Sequence, residues 1–260
     1  MKKGYFDGPH GQIHYWMAGE GPDLVLLHQA AQTSQEYVGL IPYLADKYRI
    51  VAIDQPGHGQ SDDPPQEYEM EDYITATRAA LDALDIQRCA LGGHHGGSSI
   101  ALGIAAEQPE RVSHLILSGC GIRSKEETQR LLNTRMTRDI PLTDEGDFLI
   151  ETWRRYVKLT DDKTEPLKTF EPFLVALTQK LRPYDAHDAI LRWDKGTVLD
   201  KIQCPVLLMQ GSRDEFVKNQ DVLCTKFKDA RREVLEGPGA FIFYEAPEAS
   251  AKVIAEFLAA

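Results

Sequence analysis

At 260 residues the chain is long enough for one α/β domain with a sizeable core and an insertion, and no linker-like, low-complexity or repeated tract divides it. Its 29 Lys and Arg stand against 40 Asp and Glu, a net charge of −11. The composition offers no basic surface to nucleic acid or to an anionic membrane, and the expected partner is a small-molecule substrate.

Tyr5-Phe6-Asp7 and Gln12 to Ala18, separated by Gly8-Pro9-His10-Gly11, predict a β-hairpin. Asp23 to His28 is apolar without alternation, the pattern of a strand covered by helices on both faces. The same signature recurs at Arg49 to Asp54, Cys89 to Gly92, His114 to Ser118 and Pro205 to Gln210, with helical patterns at about 35–47, 69–84, 97–107 and 248–258. Strands alternating with helices imply a mostly parallel, doubly wound sheet flanked by helices. Between Gly121 and about Asp200 the pattern is helical throughout, including Glu126 to Thr134, Asp147 to Leu159 and Leu167 to Leu181. Such an insertion is expected to be a lid over the carboxyl ends of the strands, where open α/β sheets bind ligands. The expected division is 1–121 and 200–260 for the two parts of the core and 122–199 for the helical lid.

Cys89, Cys120, Cys204 and Cys224 form no CxxC pair and no metal-like spacing, and three of them lie in or beside apolar strand runs. No cofactor or metal is implied, because no histidine pair has helical spacing near a carboxylate. The absence of a leader pattern or an apolar stretch of transmembrane length in the sequence makes a cytoplasmic setting the expectation.

The most informative segment is Gly93-His94-His95-Gly96-Gly97, which follows an apolar strand and opens a helix of small residues. It has the G-x-nucleophile-x-G frame of a nucleophile elbow, with an imidazole at its centre. Small residues are needed two before and two after the central position because the strand turns sharply into a helix there. The helix start also presents free backbone N–H groups.

Taken with this elbow, the chain resembles the α/β-hydrolase superfamily over nearly its whole length. Leu26-Leu27-His28 and the loop after it resemble the family's His-Gly loop, and Asp54-Gln55-Pro56-Gly57-His58-Gly59-Gln60-Ser61 resembles its D-x-x-G-x-G-x-S segment. Glu107 to Val112 and Pro205 to Asp214 match the stretches leading into the sixth strand and carrying the acid. The resemblance implies an eight-stranded α/β-hydrolase sheet, with Asp214 as the acid and Ala30 and Gly96 as backbone oxyanion donors.

Two positions depart from the family. The nucleophile is ordinarily Ser, Cys or Asp, and here it is His95; the base is ordinarily a C-terminal His, and Gly239-Ala240-Phe241 puts Ala240 in its place. An introduced Ala240 and a natural one look alike in the sequence, but two coordinated changes suggest that an imidazole has moved from the C-terminal loop to the elbow. A neutral imidazole, unlike a lone serine hydroxyl, is a base or nucleophile near pH 7 without activation. Asp214 is expected to orient it, and the positive end of the helix to favour its neutral form. Gln29, His94, Trp153 and Tyr156 are candidate substrate contacts: Gln29 either adds an amide donor or shapes its loop, and His94 is expected mainly to pack under the elbow.

The readings left open are an enzyme cleaving an ester, lactone or similar carbonyl compound with His95 as base or nucleophile, a lyase or cofactor-free rearrangement enzyme using the same base, and a non-catalytic small-molecule-binding protein on the same scaffold.

Overall fold

A computed structural model describes residues 1–135, 143–160, 163–179, 182, 184 and 186–260. Eight strands form one sheet: β1 (Lys2–Gly8), β2 (Gly11–Ala18), β3 (Asp23–Leu27), β4 (Arg49–Ile53), β5 (Cys89–His94), β6 (Val112–Ser118), β7 (Val206–Gly211) and β8 (Ala230–Leu235). Their order is β1-β2-β4-β3-β5-β6-β7-β8. The hairpin pairs antiparallel with itself and with β4, and every other neighbour is parallel.

The unbroken apolar strands are explained by where their alternate residues go. Val25, Leu27, Val51, Ile53, Leu91 and Leu115 join one buried cluster, with α1 (Met70–Ala83) and α2 (Gly96–Glu107) packed over it. Leu24, Leu26, Ile50, Ala52, Ile116 and Leu207 join a second on the opposite face, under the C-terminal helix Pro247–Leu258. Burying each Leu, Ile or Val side chain stabilises the fold by about 1.5–3 kcal/mol before chain entropy is counted.

The helix expected over 35–47 is instead two short 3₁₀ turns, Ser34–Tyr37 and Ile41–Tyr43. Pro42 has no N–H to donate and its ring clashes with the carbonyl four residues back, so a continuous helix cannot pass Gly39. β8 was not marked by an apolar run: with Arg231, Arg232 and Glu233 in its middle, it is a charged edge strand.

Between β6 and β7 the described residues form α3 (Lys125–Arg135), α4 (Asp147–Leu159), α5 (Pro166–Gln179) and α6 (Ala186–Arg192), and no strand. The last two residues of the helix expected over 167–181 lie outside the described residues. Tyr156 of α4 stacks on Phe241 of the core at 5.0 Å. Gln32 ties the same layers together: its amide donates to the Pro172 carbonyl at 2.9 Å and accepts from the Tyr244 hydroxyl at 3.2 Å. Among the described residues no helix is long and apolar enough to cross a membrane.

Candidate active site

β5 ends at His94, and α2 begins at Gly96. The one residue between them, His95, has φ 44° and ψ −102°, a strained conformation for a residue with a Cβ. The glycines on either side are required by contact. A Cβ on Gly93 would fall 2.2 Å from the Gly97 carbonyl oxygen, and one on Gly97 would fall 2.1 Å from that of Leu27. The turn is pinned by His95 N–H donating to the Ser118 carbonyl at 2.8 Å. Ser98 is fully buried, its hydroxyl held between the Gly93 and Ser118 carbonyls at 2.8 and 2.9 Å, so it serves the turn's packing.

From this bend the His95 ring reaches toward the loop after β7, where its Nε2 lies 2.7 Å from Asp214 Oδ2. Gly119 leaves room for it, since a Cβ there would lie 2.4 Å from the ring's Cδ2, and Phe216 flanks it at 5.3 Å. Asp214 is almost fully buried, and its other oxygen accepts from the Phe216 N–H at 2.8 Å. A carboxylate only accepts, so Nε2 carries the proton and Nδ1 holds the lone pair whenever the ring is neutral.

Burial works against a cation at His95, but the adjacent Asp214 carboxylate outweighs it and raises the ring's pKa above its ordinary value. In turn, burial would raise Asp214, while the His95 ring and the Phe216 N–H hold it below the usual carboxylate range. The helix start was expected to favour the neutral imidazole. A full charge in direct contact overrides a terminal dipole, whose effect is about 0.3–1 kcal/mol.

Ala30 and Gly96 are walls of one narrow cleft beside the elbow. A Cβ on Gly96 would lie 3.3 Å from the Ala30 nitrogen, so the two amides are neighbours. Neither backbone N–H has a hydrogen-bond partner among the described residues. Ile190 of α6 closes over Gly96. The side chains of His95 and Asp214 stand outside the cleft lining, which meets the elbow at Gly96.

The loop carrying Ala30 is fixed by a residue that no sequence motif marks. Glu36 is 1 % exposed. One of its oxygens accepts from the Gln29 backbone N–H at 3.1 Å; the other accepts from the Gln29 amide at 3.3 Å and from His94 Nδ1 at 3.1 Å. The Gln29 amide also reaches the Ala240 carbonyl at 3.3 Å, so it shapes the loop and does not face the cleft. His94 lies beneath the elbow, its ring 4.8 Å from that of His95, and burial holds its pKa down. Trp153 packs on Phe173 at 5.3 Å, and Tyr156 on Phe241; neither lines the cleft. Ala240 is held by its N–H to the Leu159 carbonyl at 2.8 Å, where α4 meets the core. A third buried carboxylate, Asp54, is held down to about 2, against its burial, by His14 at 2.8 Å together with Gln60 and Ser34. Among the described residues no group of three or more His, Cys, Asp or Glu is placed to hold a metal ion.

Comparison with known proteins agrees with this architecture. The family model described as alpha/beta hydrolase fold matches residues 22–247. An uncharacterized protein of Mycobacterium tuberculosis is 26% identical over 276 residues, covering 93% of this chain and 76% of its own length. Among solved structures, a thermophilic esterase from Thermogutta terrifontis superposes with a TM-score of 0.84 at 19% identity, covering 100% of this chain and 98% of that one. The enol-lactonase from Burkholderia xenovorans superposes with a TM-score of 0.78 at 20% identity, covering 99% and 100%.

Proposed function

Given that the chain belongs to the α/β-hydrolase fold family, we propose that it hydrolyses a small ester or lactone with His95 as its general base. The observation that carries this reading is the 2.7 Å contact between His95 and Asp214. It joins an imidazole and a buried carboxylate at the bend where the family ordinarily places a nucleophile, and it leaves Nδ1 as the reacting nitrogen. The helical segment over 122–199 acts as the lid in this reading.

The chemistry balances without a covalent intermediate. Water gives a proton to His95 Nδ1 as its oxygen adds to the substrate carbonyl carbon. The carbonyl electron pair moves onto oxygen, which the Ala30 and Gly96 N–H groups receive. Each such donor is worth about 3 kcal/mol where the charge develops. Asp214 holds the imidazolium while it exists. Nδ1 then returns the proton to the departing alkoxide as the carbonyl re-forms, giving acid and alcohol. The raised pKa of His95, set by the Asp214 carboxylate against its burial, suits this role, since it makes the neutral ring a stronger base toward the water proton.

The test is a pH-stat panel of short-chain esters and four- to seven-membered lactones, run on the wild-type protein and on His95→Gln. The expected result is turnover of at least one substrate and a loss of about 10²–10⁴-fold in kcat on substitution. A protein that turns over none of the panel but binds its members tightly is a binding protein, and the proposal fails.

A further inference from the structure

The cleft at the Ala30 and Gly96 N–H groups is closed by one short helix. Ala186 and Ile190 of α6 line it together with Met70 and Tyr73 of α1. A Cβ on Gly96 would fall 2.5 Å from Ile190 Cδ1, so this methyl lies directly against one of the two donors. What remains between the walls is room for about one water. A carbonyl group with its two substituents is larger than that, so no ester or lactone reaches the donors while α6 keeps this position.

The helix has little of its own to hold it there. At 7 residues it is too short to be a stable helix apart from the core. Its two buried side chains, Ala186 and Ala189, present one methyl each, and Ile190 and the adjoining Trp193 are partly buried beside them.

The other hold is electrostatic, and it acts on both sides of the helix. Before α6, Arg182 donates to the Asp63 carboxylate at 2.8 Å and to the Gly59 carbonyl. Arg192, the last residue of α6, donates from Nε to Glu69 at 3.1 Å and from Nη2 to Glu67 at 3.0 Å. Every one of these acceptors belongs to the segment between β4 and α1. Residues 62–72, which run from that segment into α1, include Asp62, Asp63, Glu67, Glu69, Glu71 and Asp72 and no Lys, Arg or His. Two cations of the insertion are thus fastened to an acidic stretch of the core. The arginine side chains are 24% and 36% exposed, so salt screens these pairs as it does not screen the buried His95 and Asp214.

We propose that α6 is a gate over the oxyanion donors, held shut by Arg182 and Arg192 on the acidic segment of the core, and that its opening breaks these ion pairs and admits the substrate carbonyl. With the closed form dominant, the rate at limiting substrate scales with the open fraction. Each arginine, as a partner in exposed ion pairs, biases that equilibrium by about two- to fivefold. The inference rests on the hydrolase reading for what the gate admits, and on the geometry alone for the gate itself.

Opening is read by hydrogen–deuterium exchange and mass spectrometry of the peptide carrying α6, with α2 as the internal reference. The proteins are wild type, Arg182→Gln, Arg192→Gln and the double variant, and kcat/KM for δ-valerolactone is measured on each. Both measurements run from about 0.02 to about 0.5 M NaCl, a range over which the Debye length shortens several-fold. At low salt each single variant is expected to speed α6 exchange by about two- to fivefold and the double variant by about four- to 25-fold, with α2 unchanged and kcat/KM rising in step. Added salt should act the same way on wild type, an arm that needs no substitution, and should do little to the double variant. Faster α6 exchange with no hydrolysis of the ester and lactone panel upholds the gate and removes the hydrolase reading. Unchanged α6 exchange overturns the gate whatever the rate does, and hydrolysis by wild type then leaves the hydrolase reading intact. Faster exchange with an unchanged or falling kcat/KM also overturns the gate.

Discussion

Replacing Asp214 with Asn tests how the elbow imidazole is held. The native carboxylate accepts from both His95 Nε2 and the Phe216 N–H, at 2.7 and 2.8 Å. Asn keeps the shape, and its single acceptor oxygen remains with Phe216. Its NH₂ then faces Nε2, so the ring must present a lone pair there and move its proton to Nδ1. The reacting nitrogen loses its lone pair, a wrong-tautomer effect that costs about 10⁴-fold in kcat in the Ser-His-Asp case. The charge is lost as well. A charge-assisted hydrogen bond is worth about 1.5–3 kcal/mol, and with side chains only 17% and 2% exposed the pair is little screened. At 1.36 kcal/mol per pH unit, the residual activity of Asp214→Asn should rise with an inflection about one to two pH units below that of the wild type. The assay is kcat/KM for δ-valerolactone across pH 5–9 with both proteins. A variant within about threefold of wild type, with an unmoved inflection, would refute the argument that Asp214 fixes the tautomer and charge of His95.

The same contact links stability to pH. His95 has a raised pKa and Asp214 a lowered one. Their mutual stabilisation is therefore fully present above the unfolded Asp value and below the unfolded His value, between about pH 4 and 6.5. It is lost as pH rises through the folded value of His95 or falls through that of Asp214, so urea midpoints of wild type and His95→Ala should differ most near pH 5–6 and converge above the raised His95 value. Glu36→Gln places an amide donor against the donors of Gln29 and His94; it should cost about 1–3 kcal/mol in urea unfolding and lower kcat more than it raises KM, because it loosens the Ala30 loop. Gly97→Ala, whose Cβ would meet the Leu27 carbonyl at 2.1 Å, should cost about 3 kcal/mol or abolish soluble expression. Ala240→His alone should not raise the rate, because Asp214 is already taken by His95; a large rise would mean that position 240 is natively the seat of the base.

Much of the fold is legible in the sequence because burial on both faces leaves an unambiguous mark. The runs at Val25, Val51, Leu91, Leu115 and Leu207 have no polar face to present. What escapes is less strongly patterned. β8 has three consecutive charged residues and only partial burial at the sheet's edge, and the segment after β3 has enough helical periodicity to hide the break that Pro42 imposes. The elbow is legible because steric exclusion at Gly93 and Gly97 leaves only glycine a place. Glu36 is not. It sits in Ser34-Gln35-Glu36-Tyr37 with no motif around it, and one of its partners, His94, is 58 residues away in sequence. The protonation of His95 is likewise a matter of which charge lies in contact, which the helix start alone does not determine.

Chemical rescue asks whether the imidazole at position 95 itself performs the chemistry. His95→Gly removes the ring, tolerates the positive φ and opens space beside Asp214. Lactone hydrolysis by this variant should fall about 10²–10⁴-fold and recover, saturably, as free imidazole is added. Hydrolysis that stays at the wild-type rate without imidazole would contradict the account.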